Sequence, residues 1–371
     1  MLMSIKKILQ NLFKKIGYKV YFLIYGKIEN IIKDNQTEKI ITKLITINKK
    51  TYKIFSILNG RLYTTRIHDT AFILQNNIID EVSFQYRYSK ENISLKKVNE
   101  NIVFKNGTPR LKKFLNGTVA SLLTGGGGND NYFHWLFDVL PRLALIEKYK
   151  NLNEIDHFIL PNLEHKFQIQ TLDLLNIPID KRLSSVIFRH VSATNLIATT
   201  HPYVISDPVK DVQAIPSWIS IWLKNKFIKN LNFKKFSKNI YIEREEKVNN
   251  NPFGRSIINE DDVKKFLLNK NFTAVKLKEL NFIDQVQLFS QANCIIGLHG
   301  AGFANLVFCK EKTKVIEIKS TTTDKLYYNL ANVNNLLYDS IIISPKNNEA
   351  SNQQGNLLVP IDELKDKVNK I

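Results

Sequence analysis

The stretch from residue 239 to residue 318 alternates short apolar segments with amphipathic ones, and this alternation constrains the fold more than any other feature of the chain. The segments NIYIER, TAVKL, CIIGLH and KVIEI are rich in β-branched residues and predict strands. The segments NEDDVKKFLLNKN and NFIDQVQLFSQA between them have helical periodicity, and the first opens with acids, as the helix dipole favours. Strands separated by helices predict βαβ units and a parallel sheet, which is the α/β class.

The earlier part of the chain is less regular. Residues 17–120 predict short strands, including KVYFLIY at 19–25, and the glycines of SLLTGGGGND then interrupt regular structure. NYFHWLFDVLPRLALIEKYK predicts a helix that Asp130 or Asn131 caps and that Pro141 kinks. Three prolines in HPYVISDPVKDVQAIP, residues 201–216, indicate a linker.

We therefore predict two domains. The N-terminal domain covers residues 1–205 and is strand-rich over 17–120 and α/β afterwards. The C-terminal domain covers residues 206–371 and is Rossmann-like, with its last helix, IDELKDKVNKI, as a candidate to pack back on the N-terminal domain.

The formal net charge of +19 favours anionic partners such as nucleotide diphosphates, acidic polysaccharide, anionic lipid or nucleic acid. Lysine is spread along the chain together with asparagine and isoleucine, so an AT-rich genome explains the charge equally well. The two cysteines, Cys294 and Cys309, are too few for a disulfide framework and indicate a reducing compartment. Cys294 lies in an apolar run and should be buried.

Residues 5–16 have apolar side chains at helical spacing, with lysines elsewhere around the helix. A basic amphipathic helix of this kind can lie on an anionic membrane surface. The alternative, which we favour, is a surface helix packed on its own domain. No apolar run reaches the ~20 residues that span a bilayer, and no signal peptide is evident. We expect a cytoplasmic protein, peripheral at the inner face of the cell membrane if the first interpretation holds.

A glycine turn connects the strand CIIGLH to the next helix start. Small residues at Gly300, Ala301 and Gly302 let phosphates approach the backbone, and the helix N-terminus offers free N–H groups. Glu317 lies near the end of the next strand, where α/β nucleotide-binding folds use an acid to bind ribose hydroxyls. The pattern predicts a phosphate-binding turn, with close helix–strand packing as the alternative. For His299, a structural hydrogen bond and donation to a phosphate both stay open.

Two arginines form a second candidate site. Arg244 follows the strand NIYIE, and Arg255 precedes the next helix. The planar guanidinium suits bidentate binding of phosphate and stays charged. The alternative is a pair of solvated surface arginines.

His134 and Asp138 form a third candidate site, because residues four apart lie on one face of a helix. A histidine oriented by a carboxylate suits a general base that deprotonates a hydroxyl, whereas a packed histidine beside a solvated acid is the structural alternative. The chain contains no Asp-x-Asp pair, which metal-dependent sugar transferases commonly use to hold their cation. We therefore expect protein groups, and no metal, to neutralise the charge of a leaving group.

Together these segments resemble glycosyltransferase family 61, and in particular its bacterial capsular-polysaccharide type. The resemblance covers roughly residues 125–318 and rests on NYFHWLFDVLPRL, on IYIERE followed by GRSIINEDDV, on NFIDQVQLFSQANCIIGLHGAGFANLVF and on VIEI. It implies a GT-B architecture, in which two Rossmann-like domains face a cleft. It also implies inverting, metal-independent transfer from a nucleotide sugar to a glycan hydroxyl in capsular or other surface polysaccharide synthesis.

The resemblance implies roles for individual residues as well. His134 and Asp138 would lie on the acceptor side, and Glu317 near the ribose. No cofactor is implied; the expected donor is a UDP-sugar, the expected acceptor a glycan or lipid-linked glycan, and nucleic acid is not expected. FCKEKTKVIEI departs from the family, whose members usually carry a Pro-Gly turn there, and the resemblance does not extend to residues 1–120. The residues that would bind the nucleotide diphosphate are Arg244, Arg255, His299, Gly300, Ala301, Gly302 and Asn305.

Two other functional classes stay open. A nicotinamide-dependent oxidoreductase would use the glycine turn and Glu317, although the spacing G-x-H-G-A-G differs from G-x-G-x-x-G and lies late in the chain. A non-catalytic polysaccharide- or nucleic-acid-binding protein would use the basic charge and lose affinity steeply with salt.

Overall fold

The computed structural model describes residues 2–66, 69–83, 86–88, 93–95, 97–123, 127–203, 214–228, 234–244, 255–346 and 355–370. The mixture of helices and strands confirms the α/β class. Most of the predicted linker, residues 245–254 and the first two glycines of SLLTGGGGND, at 125 and 126, lie outside the described residues. No helix in the described part of the chain is long and apolar enough to cross a membrane.

The chain divides into two compact units. The N-terminal unit comprises residues 1–168 and 176–209, and the C-terminal unit comprises residues 169–175 and 210–371.

Helices of the N-terminal unit are mostly short. The α-helices here are α1 (Leu2–Tyr25), α2 (Ile102–Asn106), α3 (Gly127–Asp130), α4 (Tyr132–His134), α5 (Pro141–Glu147) and α6 (Lys166–Leu174), of which α6 continues into residues of the second unit. A π-helical turn covers Trp135–Val139, and 3-10 turns cover Asp34–Gln36, Val98–Glu100, Leu152–Glu154 and Ile179–Lys181.

Strands dominate this unit. They are β1 (Asn30–Ile32), β2 (Ile40–Ile47), β3 (Lys50–Leu58), β4 (Arg61–Thr64), β5 (Thr70–Leu74), β6 (Asn77–Ile79), β7 (Tyr86–Tyr88), β8 (Ile93–Leu95), β9 (Lys113–Ser121), β10 (His157–Leu160), β11 (Arg182–Ser184) and β12 (His190–Thr199). Within the described ranges, ten of them form one sheet in the order β1-β6-β5-β4-β12-β9-β10-β11, to which β3 and β2 are added beside β12. β7 and β8 pair separately.

Tight turns explain why much of this sheet is antiparallel. Asn48 and Lys49, between β2 and β3, both have positive φ, 50° and 65°, as a two-residue hairpin turn requires. β4, β5 and β6 follow one another antiparallel, whereas β9, β10, β11 and β12 pair in parallel. This mixed sheet differs from the second Rossmann-like domain that the family resemblance implied.

Residues 19–25, predicted as a strand, instead complete helix α1. Gly26 ends the helix with φ 77°, and its N–H donates to the Phe22 carbonyl at 3.0 Å. The Phe22 ring lies so close to Gly107 that a Cβ there would approach it to 2.9 Å. A glycine cap and this contact therefore override the β propensity of the segment.

The C-terminal unit contains the predicted parallel sheet. Its strands are β13 (Asn239–Ile242), β14 (Thr273–Val275), β15 (Cys294–Leu298), β16 (Lys314–Ser320) and β17 (Leu337–Ile343), paired in parallel in the order β14-β13-β15-β16-β17. Its helices are α7 (Ser217–Phe227), α8 (Glu260–Asn269), α9 (Phe282–Gln291), α10 (Leu326–Val333) and α11 (Ile361–Val368), with 3-10 helices at Leu277–Glu279 and Ala301–Phe308.

The order of these strands creates a crevice. The chain moves from β13 to β14 on one side and then to β15 on the other side of β13. In open α/β sheets, ligands bind at the carboxyl ends of the strands where the order reverses in this way. We therefore expect a ligand site where the carboxyl end of β13 lies beside that of β15.

The core of this unit includes the last helix. Leu364 and Val368 of α11 pack with the buried sheet residues Tyr241, Ile296 and Ile341. The additional packing of that helix on the N-terminal domain stays a prediction. Both cysteines are free and buried, which confirms the expectation for Cys294.

Candidate functional site

An open pocket of about 500 Å³ lies at the carboxyl ends of β13, β14 and β15. It is lined by residues 242–244, 276–278, 298 and 300–303, and we call it the switch-point pocket. Its volume falls within the ~300–1,000 Å³ range of small-molecule sites. The predicted residues Arg244, Gly300, Ala301 and Gly302 all line it.

Arg244 connects two walls of this pocket. Its Nη1 donates to the carbonyl of His299 at 3.0 Å, and its backbone N–H donates to Glu260 Oε1 at 3.4 Å. Glu260 opens α8 and also accepts a hydrogen bond from the Tyr241 hydroxyl at 2.9 Å. The end of β13 is thus fastened to the start of α8, and the guanidinium is held beside the glycine turn.

Positive charge predominates in the pocket. Arg244, Lys276 and Lys278 line it, against the single acid Glu243. Glu243 forms an ion pair with Lys264 at 2.8 Å. An anionic ligand is therefore favoured, because its charge is balanced by three cations.

Glycine at 300 and 302 allows close packing. A Cβ on Gly300 would lie 3.2 Å from Arg244 Nη1, and one on Gly302 would lie 2.7 Å from Leu277 Cδ1. The φ of Gly300 is 171°, so its backbone is extended and the requirement for glycine is one of space. The helix that follows is a 3-10 helix, with Phe303 N–H donating to the Gly300 carbonyl at 2.9 Å.

His299 and Glu317 lie side by side, away from the pocket lining. Glu317 is 1% exposed, and its Oε1 accepts a hydrogen bond from His299 Nδ1 at 2.5 Å. Its Oε2 accepts a hydrogen bond from the Tyr338 hydroxyl and lies 3.7 Å from Lys319 Nζ. Both oxygens therefore bind protein groups, and the placement of Glu317 near the ribose stays a prediction. Glu317 orients the His299 imidazole, and the His299 carbonyl accepts a hydrogen bond from Arg244 Nη1.

Asn305 and Arg255 also lie outside the pocket lining. Asn305 is fully buried and donates to Gln285 Oε1 at 2.9 Å and to the Gly302 carbonyl at 3.2 Å, so it holds the turn. Burial raises the pKa of the Tyr327 phenol, and the guanidinium groups of Arg255 and Arg244 oppose that rise. The positive charges of both arginines are thus felt at the Tyr327 hydroxyl. The Tyr327 ring centroid is 4.9 Å from that of His299.

In the N-terminal unit, His134 and Asp138 form the predicted pair, with His134 Nδ1 2.7 Å from Asp138 Oδ2. The Asp138 side chain is 5% exposed, whereas that of His134 is 21% exposed, so the imidazole remains open to solvent. The Tyr203 hydroxyl donates to Asp138 Oδ1. Arg142 Nε donates to the Asp138 carbonyl at 3.1 Å, and Arg142 Nη1 donates to the Thr199 carbonyl at 3.1 Å. Arg142 thus links the π-helical turn that contains Asp138 to strand β12.

Burial alone would lower the pKa of His134, but the Asp138 carboxylate outweighs it and raises that pKa above the ordinary value. Burial would likewise raise the pKa of Asp138, yet His134 lowers it. Burial lowers the pKa of the neighbouring His201 to about 3, so His201 stays neutral. Asp138 is therefore an anion that orients a partly exposed imidazole, which is the arrangement of a general base.

The local sequence explains how His134 is presented. Asn131 caps the helix by accepting from the N–H groups of Phe133 and His134, which confirms one of the two predicted caps. Pro141 opens α5 at its first position, and the turn before it is π-helical, with Leu140 N–H donating to the Trp135 carbonyl. Pro141 has no N–H to donate, so the helical hydrogen-bond pattern is interrupted there, as predicted. The interruption takes the form of the π-helical turn at Trp135–Val139.

Sequence reasoning missed Lys276, Lys278, Tyr203 and Glu260. Lys276 and Lys278 follow β14 and reach the pocket only because β14 pairs beside β13, which the sequence pattern does not show. Tyr203 lies 65 residues from Asp138 in the chain, and no local pattern connects them.

Residues 132–316 match the model of a family described as Glycosyltransferase 61. An EGF domain-specific O-linked N-acetylglucosamine transferase of Canis lupus familiaris is 29% identical over 89 residues, which are 23% of this chain and 17% of that relative. Its counterpart in Bos taurus is 33% identical over 63 residues, 17% of this chain and 12% of the relative. The match to these curated relatives spans less than a fifth of their length.

The matched segment contains His134, Asp138, Arg244 and the glycine turn. The comparisons support the glycosyltransferase 61 family and identify the matched segment as that of a glycosyltransferase. They do not single out the bacterial capsular type, since these relatives are mammalian proteins.

Proposed function

We propose that this chain transfers a sugar from a nucleotide-sugar donor, bound in the switch-point pocket, to a hydroxyl of a glycan acceptor. The observation that carries the proposal is the placement of Arg244 at the end of β13, held against the glycine turn where the strand order reverses. That pocket lies within the segment matched by the glycosyltransferase family model.

The donor's diphosphate is the group that this pocket suits. Arg244 supplies a fixed guanidinium, and Lys276 and Lys278 add positive charge. Backbone N–H groups at the start of the helix after Gly300 add further donors. These groups stabilise the charge that grows on the diphosphate as the bond to the sugar breaks.

We propose transfer with inversion and without a metal. The acceptor hydroxyl attacks the anomeric carbon, the new C–O bond forms on the face opposite the leaving group, and the nucleotide departs with the electron pair of the old bond. His134 takes the hydroxyl proton on Nε2, while its Nδ1 stays hydrogen-bonded to Asp138. The supporting observation is the buried carboxylate behind a partly exposed imidazole.

For the reactants, we propose a UDP-sugar donor and a surface-polysaccharide or lipid-linked glycan acceptor. The relatives are N-acetylglucosamine transferases by name, so UDP-N-acetylglucosamine is the first donor to test. The net charge of +19 suits an acidic glycan. Two free, buried cysteines fit a cytoplasmic location.

The oxidoreductase alternative is disfavoured by topology. In dinucleotide-binding folds the glycine fingerprint follows the first strand of the sheet. Here the glycine turn follows β15, the third strand of this sheet in chain order. Glu317 is also enclosed by His299 and Tyr338.

A thermal-shift screen of UDP-, GDP-, CMP- and dTDP-sugars tests the proposal, followed by an assay for transfer or donor hydrolysis. We expect one nucleotide class to stabilise the protein by about 2.7 kcal/mol at a hundred times its Kd. Stabilisation by NADH with none by any nucleotide sugar would favour the oxidoreductase. Salt-sensitive binding to polysaccharide or nucleic acid without sugar release would favour the binding protein.

Gly300→Ala should weaken donor binding while leaving the fold intact. The added methyl would lie 3.2 Å from Arg244 Nη1, so the guanidinium must shift by a few tenths of an ångström. We expect a loss of about 0.5–1.5 kcal/mol, roughly two- to tenfold in the nucleotide Kd measured by calorimetry. Gly17→Ala is the control, because a Cβ there meets nothing within 4 Å. An unchanged Kd in Gly300→Ala would contradict the role of this contact.

A further inference from the structure

A second open pocket, of about 470 Å³, lies in the N-terminal unit at the carboxyl end of α1. We call it the α1 pocket. The charged side chains that line it are Lys39, Arg61 and Lys112, and none of its described lining residues is an acid. Neither the proposed donor site in the switch-point pocket nor the proposed base His134 is part of this pocket.

Arg61 is the most buried of the three cations, at 8% exposed. Its Nη2 donates to the Gln75 carbonyl at 2.8 Å and its Nη1 to the Tyr25 carbonyl at 3.4 Å, while its Nε has no partner. These partners are neutral carbonyl oxygens and leave the charge uncompensated. A buried cation of this kind is stabilised when a ligand brings an anion to it.

The site is assembled around Tyr25, the last residue of α1. The backbone N–H of Lys112 donates to the Tyr25 hydroxyl at 2.9 Å, and Lys112 Nζ lies 5.6 Å from the centre of the Tyr25 ring. Burial lowers the pKa of the adjacent His190 to about 4, and the charges of Arg61 and Lys112 contribute to that decrease. The local potential is therefore positive, and His190 is neutral near pH 7.

Large apolar side chains stand exposed around this pocket. Leu23 is 88% exposed and Phe114 is 65% exposed, and both Phe114 and Ile24 line the pocket. Ile16 and Val20 continue the exposed apolar stripe of Leu23 along one face of α1. Cations in a pocket with an apolar border match a molecule that joins a phosphate to a hydrocarbon tail.

We propose that the α1 pocket binds the phosphate headgroup of a membrane lipid, with the exposed face of α1 from residue 12 to residue 24 in contact with the apolar part of the bilayer surface. Arg61 neutralises the phosphate at the base of the pocket, and Lys39 and Lys112 hold it from the exposed border. This surface extends beyond the sequence-predicted membrane helix at 5–16, and it does not depend on the proposed donor site.

Flotation of the full chain with phosphatidylcholine vesicles, with and without phosphatidic acid, tests this assignment. The test variant is Lys39→Glu/Lys112→Glu, because both side chains are exposed and their replacement should spare the fold. The matched control is Lys50→Glu/Lys105→Glu, which changes the net charge equally at two exposed positions outside the pocket lining. We expect the test variant to lose at least about tenfold in affinity for phosphatidic acid vesicles and the control to retain it.

A second pair of measurements distinguishes a lipid from a free anion. Leu23→Ser should weaken vesicle binding severalfold and leave the affinity for inorganic phosphate unchanged. Equal losses in the two double-lysine variants would overturn the proposal, because they would indicate non-specific attraction to basic charge. Inorganic phosphate bound as tightly as the vesicles, with Leu23→Ser without effect on the vesicles, would overturn it in favour of a free-anion site.

Discussion

His134→Ala should lower the turnover number for sugar transfer by about 10²–10⁴ and leave the donor Kd unchanged, because a positioned general base contributes that factor to proton transfer. His134 Nδ1 is held by Asp138 at 2.7 Å, and the rest of its imidazole is partly exposed, where an acceptor hydroxyl can reach it. Steady-state transfer kinetics and donor binding by calorimetry give the two values.

The matched control is His165→Ala. His165 also faces a carboxylate in the N-terminal unit, with Nε2 3.1 Å from Asp130 Oδ1, but it lies at the surface beside Phe167. Its loss should change the turnover number little. Equal losses in both variants, or a large change in donor Kd for His134→Ala, would contradict the assignment of His134 as the base.

The pH profile provides an independent readout of the same pair. A base must be neutral to accept a proton, so activity should rise as pH increases through the pKa of His134. Asp138 holds that pKa above its ordinary value against the opposing effect of burial. Asp138→Asn removes the carboxylate, so the acid limb of the profile should move to lower pH while the maximal rate falls. An acid limb that stays in place would show that another group titrates.

Arg244→Ala should weaken binding of the nucleoside diphosphate by about 1.5–3 kcal/mol, roughly ten- to a hundredfold in Kd. The guanidinium is fixed by the His299 carbonyl and lies in the lining of the switch-point pocket. Removing it leaves the diphosphate without its rigid charged donor. Calorimetric titration of UDP into each protein measures the effect.

Two variants make the arginine experiment specific. Arg244→Lys keeps the charge and loses the planar fork, so we expect an intermediate Kd. Lys265→Ala removes an exposed cation of α8 in the same unit and should leave the Kd unchanged. An unchanged Kd in Arg244→Ala would contradict the placement of the diphosphate, and an equal loss in Lys265→Ala would indicate bulk electrostatics.

The strands and turns that form the switch-point pocket were largely predictable. Arg244 directly follows a strand of clear apolar pattern, and the glycine turn follows another, so both could be placed at the carboxyl edge of a parallel sheet. Lys276 and Lys278 could not be distinguished in a lysine-rich chain, because only the pairing of β14 beside β13 brings them to the pocket.

Residues that act through other residues were harder to assign. Glu317 was placed correctly on a strand, but the strand pattern does not reveal that His299 and Tyr338 occupy its carboxylate. Local propensity also failed in α1, where β-branched and aromatic residues form a helix whose Phe22 ring packs close to Gly107. In each case the deciding contact joins residues far apart in the chain.

A crystal structure of the complex with UDP is the decisive test of where this protein binds its donor. We expect the diphosphate in the switch-point pocket, in hydrogen-bond contact with the Arg244 guanidinium and beside Gly300 and Gly302. A nucleotide bound away from the ends of β13 and β15, with no contact between its diphosphate and the Arg244 guanidinium, would contradict this placement.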